Sequence, residues 1–252
     1  MTKISAVILT KNEENMLGDC IDSVSFCDEI IVIDDNSSDR TAELAKLLGA
    51  KVFEHTSTNF SEKRNFGLKK AKNKWVLYID ADERVSPDLK KSIMDAVNKT
   101  KTEFDAYKLD RKNFYFGKHE WPYIEKLERL FKKSALREWV GILHETALVS
   151  GEIGELNGFL QHFTHRDLSS MVAKTIEWSK IEAELRFKSH HPKMTWWRFF
   201  RVMITGFYNS YIKQEGFKAG IAGLVESIYQ SFSLFVTYAR LWELQNDSES
   251  RA

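Results

Sequence analysis

The segment that decides the fold is Trp75–Glu83, which reads WVLYIDADE. Five apolar residues run without interruption and lead into three carboxylates within four positions. A short apolar run of this kind is consistent with a strand covered by helices on both faces, as in a parallel sheet. Carboxylates crowded into a partly desolvated place resist ionising together. The segment therefore predicts a buried strand whose carboxyl end needs positive charge nearby.

Around this segment, the first hundred residues alternate between strand-like and helix-like patterns. We predict strands at Ser5–Thr10, Glu29–Asp35, Lys51–His55 and Trp75–Ile79, and helices at Glu14–Ser25, Thr41–Leu48, Ser61–Lys72 and Pro87–Asn98. Such alternation is typical of βαβ units, so the fold class is α/β, with a mostly parallel sheet flanked by helices. Ligands of such sheets bind beyond the carboxyl ends of the strands.

Aromatic, strand-like pieces follow from Asp105 to about Phe163, and helical patterns follow from Asp167 onward. We therefore expect an α/β domain over residues 1–165 and a C-terminal helical region over residues 166–252. Its predicted helices are Asp167–Lys188, Thr195–Lys213 and Phe217–Leu244.

Composition excludes several classes of protein. A formal net charge of +1 gives no electrostatic reason to expect nucleic-acid binding. The two cysteines, Cys20 and Cys27, suggest neither a disulfide framework nor a zinc knuckle. The N-terminus does not resemble a signal peptide, and the longest uncharged C-terminal runs, Val202–Ile212 and Ser227–Ala239, are shorter than the roughly 20 residues that span a bilayer. We therefore expect a cytoplasmic protein without a transmembrane segment.

Polar clusters follow three of the predicted strands. Thr10–Glu13 follows the first strand, Asp34–Asp39 the second and Asp80–Glu83 the fourth. Parallel strands bring all three clusters to one edge of the sheet. Two carboxylates two positions apart, Asp80 and Asp82, can share a hard divalent cation that also holds a diphosphate. A phosphatase that uses a strand followed by DxD is a weaker alternative, because Glu83 and Arg84 do not fit its usual continuation.

Four ordered stretches, SAVILTKNEE, IVIDDNSSDRT, EKRNFGLKKAKNKWVLYIDADE and RLFKKSALREWVGILHE, resemble an inverting glycosyltransferase of family 2 with the Rossmann-like GT-A fold. The C-terminal pattern is similar to the lipopolysaccharide-core β-1,4-glucosyltransferase branch. The resemblance covers about Ile4 to His165. It implies a nucleotide-sugar donor, a Mn²⁺ or Mg²⁺ ion, and transfer of a hexose, most simply glucose from UDP-glucose, to a glycolipid or lipopolysaccharide-core hydroxyl.

The resemblance also implies roles for particular residues. The predicted nucleotide-sugar-binding residues are Thr10, Asn12, Glu13, Asp34, Asp35, Arg64, Asp80 and Arg129. Asp80 and Asp82 correspond to the pair that carries metal and donor. Either His162 or His165 could complete the metal shell, since a C-terminal histidine does so in many GT-A enzymes. Glu145 resembles the base that takes the acceptor proton, and its rivals are Asp110, Glu120 and Glu125.

The C-terminal helices mix aromatic and basic residues, as in Trp196–Met203. Such composition suits a membrane headgroup boundary, and it also suits packing against the catalytic domain or a second subunit. We expect a peripheral contact on the cytoplasmic face of the inner membrane and keep a homo-oligomer open. The alternatives to a glycolipid glycosyltransferase are a polyprenyl-phosphate glycosyltransferase and a non-catalytic GT-A-like module that binds a nucleotide sugar or anchors partners at the membrane.

Overall fold

The computed structural model of the chain describes residues 2–99 and 103–250. It forms two compact units, one comprising Met1–Lys112 and Ile124–His162, and the other Asn113–Tyr123 and Phe163–Ala252. The division of the sequence into domains at residues 165 and 166 stays a prediction.

The first part of the chain alternates strands and helices as the sequence predicts. In chain order the elements are β1 Ile4–Thr10, α1 Leu17–Ser23, β2 Glu29–Asp34, α2 Thr41–Leu47, β3 Lys51–Glu54, α3 Phe60–Lys70, β4 Trp75–Asp80, β5 Glu83–Val85, α4 Pro87–Asn98, β6 Ala106–Tyr115, β7 His119–Lys132, β8 Leu136–Val140, β9 Thr146–Val149 and β10 Ile153–Phe163.

The central sheet has the strand order β3-β2-β1-β4-β7-β6-β10-β5, and β8 pairs with β9 in a second, two-stranded sheet. The neighbours β3-β2-β1-β4 run parallel, whereas β7 joins β4 antiparallel. The predicted α/β class with a GT-A-like sheet flanked by helices is confirmed. Because the chain winds from β1 through β3 and then crosses to β4 on the other side of β1, the strand order reverses between β1 and β4.

The core explains why the strands read as continuous apolar runs. All seven residues of β1 are buried. Ala6 and Ile8 belong to one apolar cluster, while Val7 and Leu9 belong to another. Successive side chains of a strand point to opposite faces of the sheet. Both faces of this sheet are therefore covered.

One predicted helix is shorter than expected. The sequence predicts a helix from Glu14, but α1 begins at Leu17. The backbone N–H groups of Glu13 and Glu14 donate to the side chains of Thr41 and Asp39, at 2.8 and 3.2 Å. These bonds tie Glu13 and Glu14 to the start of α2 and the residues before it. Glu13 O accepts from Met16 N and Leu17 N, so Glu14–Met16 form a turn that leads into α1.

The second unit is mainly helical. Its helices are α5 Leu168–Lys188, α6 Trp196–Tyr208, which continues as a π-helical segment Asn209–Lys213, and α7 Gly220–Ser250, preceded by a 3₁₀ turn Gly216–Ala219. Glu215, with a φ of 59°, turns the chain between α6 and α7. The predicted helix from Phe217 therefore starts later and runs further.

The expectation that no segment could span a membrane is wrong by length and composition. Gly216–Asp247 is a helical stretch of 32 residues containing an apolar window of mean hydropathy 1.3, of which 28% is buried. The sequence argument counted only uncharged runs such as Ser227–Ala239, but a single charge such as Glu226 occupies only one side of a helix. No other helix in the described residues meets the same criteria.

Candidate active site

The predicted polar clusters meet at one edge of the sheet. In the parallel register Thr10 of β1 lies beside Asp34 of β2, and Leu9 lies beside Asp80 of β4. The carboxyl ends of β1 and β4 flank the place where the strand order reverses, which is where open α/β sheets bind their ligands.

Asp80 lies between two buried arginines. Arg64 Nη2 donates to Asp80 Oδ1 at 3.1 Å, and Arg129 Nη2 donates to Asp80 Oδ2 at 2.9 Å. Burial opposes ionisation of Asp80, but the charges of Arg129 and Arg64 outweigh it and hold the pKa of this carboxyl well below its usual range. The sequence predicts positive charge near this strand end, and Arg64 and Arg129 provide it.

Glu145 joins the same cluster through Arg64. Arg64 Nε donates to Glu145 Oε1 at 2.7 Å, so one guanidinium connects the candidate base to Asp80. Only 2% of the Arg64 side chain and 14% of the Glu145 side chain are exposed. The sequence placed these residues 81 positions apart, and the fold brings them into direct contact.

Two contacts hold the loop that carries Glu145. Asn65 Nδ2 donates to Trp139 O at 2.9 Å, and Trp139 N donates back to Asn65 Oδ1 at 2.8 Å. Phe60 N also donates to Ile142 O at 3.0 Å. The loop between β8 and β9 is thus fastened to α3, the helix that also carries Arg64.

Glu83 is a buried carboxylate for which the sequence predicted no role. Its Oε2 accepts from Asp80 N at 3.0 Å, and its Oε1 accepts from Arg111 Nη1 at 3.1 Å. Arg129 Nη2 also lies 3.5 Å from Glu83 Oε1. Glu83 therefore fixes both the turn after β4 and the arginine that faces Asp80. The sequence feature that could have indicated a role for Glu83 is its place in the acidic run Asp80–Glu83.

The structure separates the two candidate histidines. His162 Nε2 lies 3.3 Å from Asp82 Oδ2, and the backbone of His162 pairs with Glu83 in β5. His165 belongs to the second unit, where its Nδ1 lies 2.9 Å from Glu226 Oε1 and its ring stacks on Tyr115. His162 thus lies beside Asp82, the second carboxylate of the acidic pair.

The residues after β1 and β2 are organised around a tight turn. Asp34 accepts from Ser37 Oγ at 2.6 Å and Ser37 N at 3.0 Å. Asn12 N donates to Ser37 Oγ at 2.8 Å, and Asn12 adopts a φ of 54°. Asp34, which is 2% exposed, thus serves the turn itself, and the neighbouring Thr10 is 5% exposed.

Asp35 has basic partners that the sequence did not assign to it. Lys63 Nζ donates to Asp35 Oδ2 at 2.7 Å, and Lys11 Nζ lies 3.6 Å from the same oxygen. Lys63 is buried, with a side-chain exposure of 7%. The neighbouring residues Lys63 and Arg64 therefore bind different carboxylates. Lys63 pairs with Asp35, whereas Arg64 pairs with Asp80 and Glu145.

The rival base Glu125 is held by a different arginine, Arg111. Arg111 Nε donates to its Oε2 at 3.1 Å, and Arg111 also pairs with Glu83. Glu145 is thus the candidate whose carboxylate contacts an arginine that also contacts Asp80.

Residues 5–148 match the family described as Glycosyl transferase family 2. This match covers more than half of the chain, so the chain belongs to glycosyl transferase family 2 and is a glycosyltransferase.

Particular relatives extend over nearly the whole chain. An uncharacterized glycosyltransferase of Rickettsia typhi is 30% identical, over 99% of this chain and 90% of its own length. The lipopolysaccharide core biosynthesis glycosyltransferase LpsC of Rhizobium meliloti is 24% identical, over 95% of this chain and 92% of its own length. Among solved structures, S. aureus TarS 1-349 in complex with UDP-GlcNAc aligns with a TM-score of 0.52 at 14% identity, over 96% of this chain and 88% of that one. That structural likeness supports the fold.

Proposed function

We propose that this protein is a metal-dependent, inverting glycosyltransferase that moves a hexose from a nucleotide diphosphate sugar to a hydroxyl of a glycolipid. UDP-glucose is the proposed donor and a lipopolysaccharide-core sugar the proposed acceptor. The observation that carries the proposal is the convergence of Arg64, Asp80, Arg129 and Glu145 at the carboxyl end of β4.

The arginines suit a diphosphate. In the described part of the chain, the buried atoms Arg64 Nη1 and Arg129 Nε have no hydrogen-bond partner. A buried donor without an acceptor costs about 1–3 kcal/mol, so a ligand that supplies acceptor oxygens would be stabilised there. Guanidinium groups match phosphate oxygens in both charge and geometry.

Asp82 and His162 are the residues that would hold a divalent ion. A carboxylate oxygen and an imidazole nitrogen are suitable donors for Mn²⁺, and they lie 3.3 Å apart. No group of three metal-ligating side chains occurs among the residues that the structure describes. Donor phosphates would then complete the coordination, as they do at many Mg²⁺ sites. When bound, the ion would stabilise negative charge on the leaving diphosphate.

The chemistry that these residues support is a single in-line displacement. The acceptor oxygen attacks the anomeric carbon as the bond to the diphosphate oxygen breaks, and the electron pair leaves with the diphosphate. Glu145 takes the proton of the acceptor hydroxyl. Arg64 orients the Glu145 carboxylate and, with Arg129, faces the charge that develops on the leaving group.

The acceptor class is supported by the relative LpsC, whose name refers to lipopolysaccharide core biosynthesis. A glycolipid acceptor requires the enzyme to work at a membrane surface. Trp196 and Trp197, which are 78% and 49% exposed, are side chains of the kind that anchor proteins at that boundary. We therefore propose a peripheral location on the cytoplasmic face of the inner membrane.

The test is binding of a panel of nucleotide sugars with and without Mn²⁺, followed by slow donor hydrolysis. Stabilisation by UDP-glucose with Mn²⁺ is the expected result, and Asp82→Ala should abolish it while the fold survives. Asp88→Ala removes an exposed carboxylate in the first turn of α4 and serves as the matched control. Unchanged donor binding in Asp82→Ala would rule out the metal role of Asp82. If no nucleotide sugar of the panel binds or is hydrolysed, a non-catalytic module would be favoured instead.

A further inference from the structure

The helices α6 and α7 have their polarity reversed relative to an ordinary soluble helix. With the π-helical segment included, most of their buried positions are small or polar, namely Gly206, Ser210, Gly223, Glu226, Ser227, Ser231 and Thr237. Val202, Tyr229 and Leu241 are buried beside them. Their exposed positions include large apolar residues, namely Trp196, Trp197, Phe200, Met203, Ile204, Tyr208, Ile221, Leu224, Val225, Ile228, Phe232, Phe235 and Trp242. An exposed apolar surface of this extent on a soluble protein marks an interaction site.

The buried polar groups of these helices satisfy one another. Ser210 Oγ lies 2.9 Å from Ser227 Oγ, and Ser227 Oγ donates to Gly223 O at 2.7 Å. Glu226, which is fully buried, is held by His165. Polar groups that face inward and bond to each other, with apolar groups outside, are the pattern that a hydrocarbon environment requires.

Small residues allow the two helices to approach closely. A Cβ at Gly206 would lie 2.6 Å from Leu234 Cδ1 and 3.5 Å from Ser231 Cα, so the two helices approach closely at that point. Close packing at small residues is typical of helices in lipid.

Between the helices runs a groove of about 570 Å³, which we name the α6–α7 groove. Its lining residues are Met203, Ile204, Phe207, Tyr208, Ile212, Ile228, Ser231, Phe232 and Phe235. The Ser231 hydroxyl already donates to Met203 O at 2.8 Å, which leaves the Tyr208 phenol as the other polar group of the lining. The volume falls within the range usual for small-ligand pockets. A ligand here would be recognised by its hydrocarbon.

The charges along this face indicate which occupant fits. Between Trp196 and Ala239 the basic residues are Arg198, Arg201, Lys213 and Lys218. The acidic residues are Glu226, which is buried, and Glu215, which pairs with Lys218 at 2.6 Å. A second copy would carry the same excess of basic residues on these helices, so it offers no complementary charge. Anionic lipid headgroups would instead be attracted.

We propose that the α6–α7 groove binds one hydrocarbon chain of an anionic membrane lipid. The inference deepens the proposed function, because it rests on the proposed membrane contact and names the ligand that this contact engages. Other exposed apolar side chains of these helices, such as Trp196 and Ile221, do not line the groove. We expect them to lie among neighbouring lipids.

The first test measures binding of monomeric laurate to the full-length protein in solution, without vesicles. The parent should bind, and Phe232→Glu should weaken binding at least about tenfold because it places a charge in the groove. Ile204→Glu is a second groove variant, and both positions are exposed enough to tolerate substitution, at 42% and 66%. Ile221→Glu is the control, since it carries the same change on an 83% exposed side chain that does not line the groove.

The second test uses vesicles of phosphatidylethanolamine and phosphatidylglycerol that contain a phosphatidylglycerol with a photoreactive acyl chain. Crosslinks to groove residues, lost in Phe232→Glu but kept in Ile221→Glu among the vesicle-bound fraction, would support the proposal. Vesicle binding without laurate binding or groove crosslinks would overturn the groove while leaving the membrane contact standing. Laurate binding without vesicle binding would overturn the assignment to a membrane lipid. If laurate does not bind and the protein forms a concentration-dependent dimer that Phe232→Glu dissociates, this face would be assigned to a second copy of the chain.

Discussion

In the first unit, all seven residues of β1 are buried, five of them in two apolar clusters, and charged side chains gather at one sheet edge. The second unit instead turns large apolar side chains outward along α6 and α7. Both units bury acidic side chains, and in both units these side chains have hydrogen-bond partners. In the first unit the partners are arginines with hydrogen-bonding atoms left over, which is useful for ligand binding. In the second unit Glu226 meets His165 and Gln230, which is useful for holding helices together. Under the proposed function, buried polarity serves chemistry in the first unit, whereas in the second it serves packing.

The largest expected effect falls on the charged cluster of the first unit. Glu145→Gln keeps the shape and the hydrogen bond to Arg64 but removes the proton acceptor, so we expect kcat to fall about 10²–10⁴-fold with little change in donor affinity. Glu138→Gln, an exposed position on β8, is the control in the same glycosyl transfer assay. A kcat within a few-fold of the parent would transfer the role of base to another carboxylate.

The next effect tests whether the arginines are also structural. Arg129→Met leaves Asp80 and Glu83 with one fewer cation in a buried site, so the free energy of unfolding should fall by about 3–5 kcal/mol. Chemical denaturation measures it. Arg137→Met, on the exposed side of β8, should cost below about 1 kcal/mol. Equal losses in the two variants would mean that the Arg129 cluster is not held in place by its buried pairs.

Substitutions of the two histidines should have different effects, on stability for His165 and on donor binding for His162. His165→Ala removes the imidazole that hydrogen-bonds the buried Glu226, so we expect a loss of about 1–3 kcal/mol in unfolding free energy with Mn²⁺-dependent donor binding intact. His162→Ala should do the reverse and weaken donor binding in Mn²⁺. Circular dichroism would show whether His165→Ala is folded. Loss of Mn²⁺-dependent donor binding in the folded variant would indicate that His165 is a metal ligand.

The smallest effect is expected on the outward face of α7. Ile221→Lys changes an 83% exposed side chain, so stability in solution should stay within about 0.5 kcal/mol. Ser227→Leu on the buried face should destabilise the protein by more, because Ser227 sits fully buried against Ser210. Thermal unfolding of both variants compares them. The opposite ranking would show that the apolar face is part of a core.

Most of the first unit was predictable because its signals are local in sequence. Continuous apolar runs bounded by turns gave β1, β2 and β4, and parallel pairing alone placed Thr10, Asp34 and Asp80 at one edge. Helix α4 follows its proline as predicted. Helix α1 was predicted too long, because the side chains that hold Glu13 and Glu14 lie about 25 residues away.

The sequence by itself determined the α/β class, the acidic strand tip and the resemblance to a glycosyltransferase family, since each depends on residue type and short spacing. Only the tertiary structure decided which charges meet. It joined Arg64 to both Asp80 and Glu145, set Glu83 behind them, placed His162 and not His165 on Asp82, and turned the apolar side of α6 and α7 outward. The physical reason is that ion pairs and helix faces depend on distances across the fold, which no local pattern encodes.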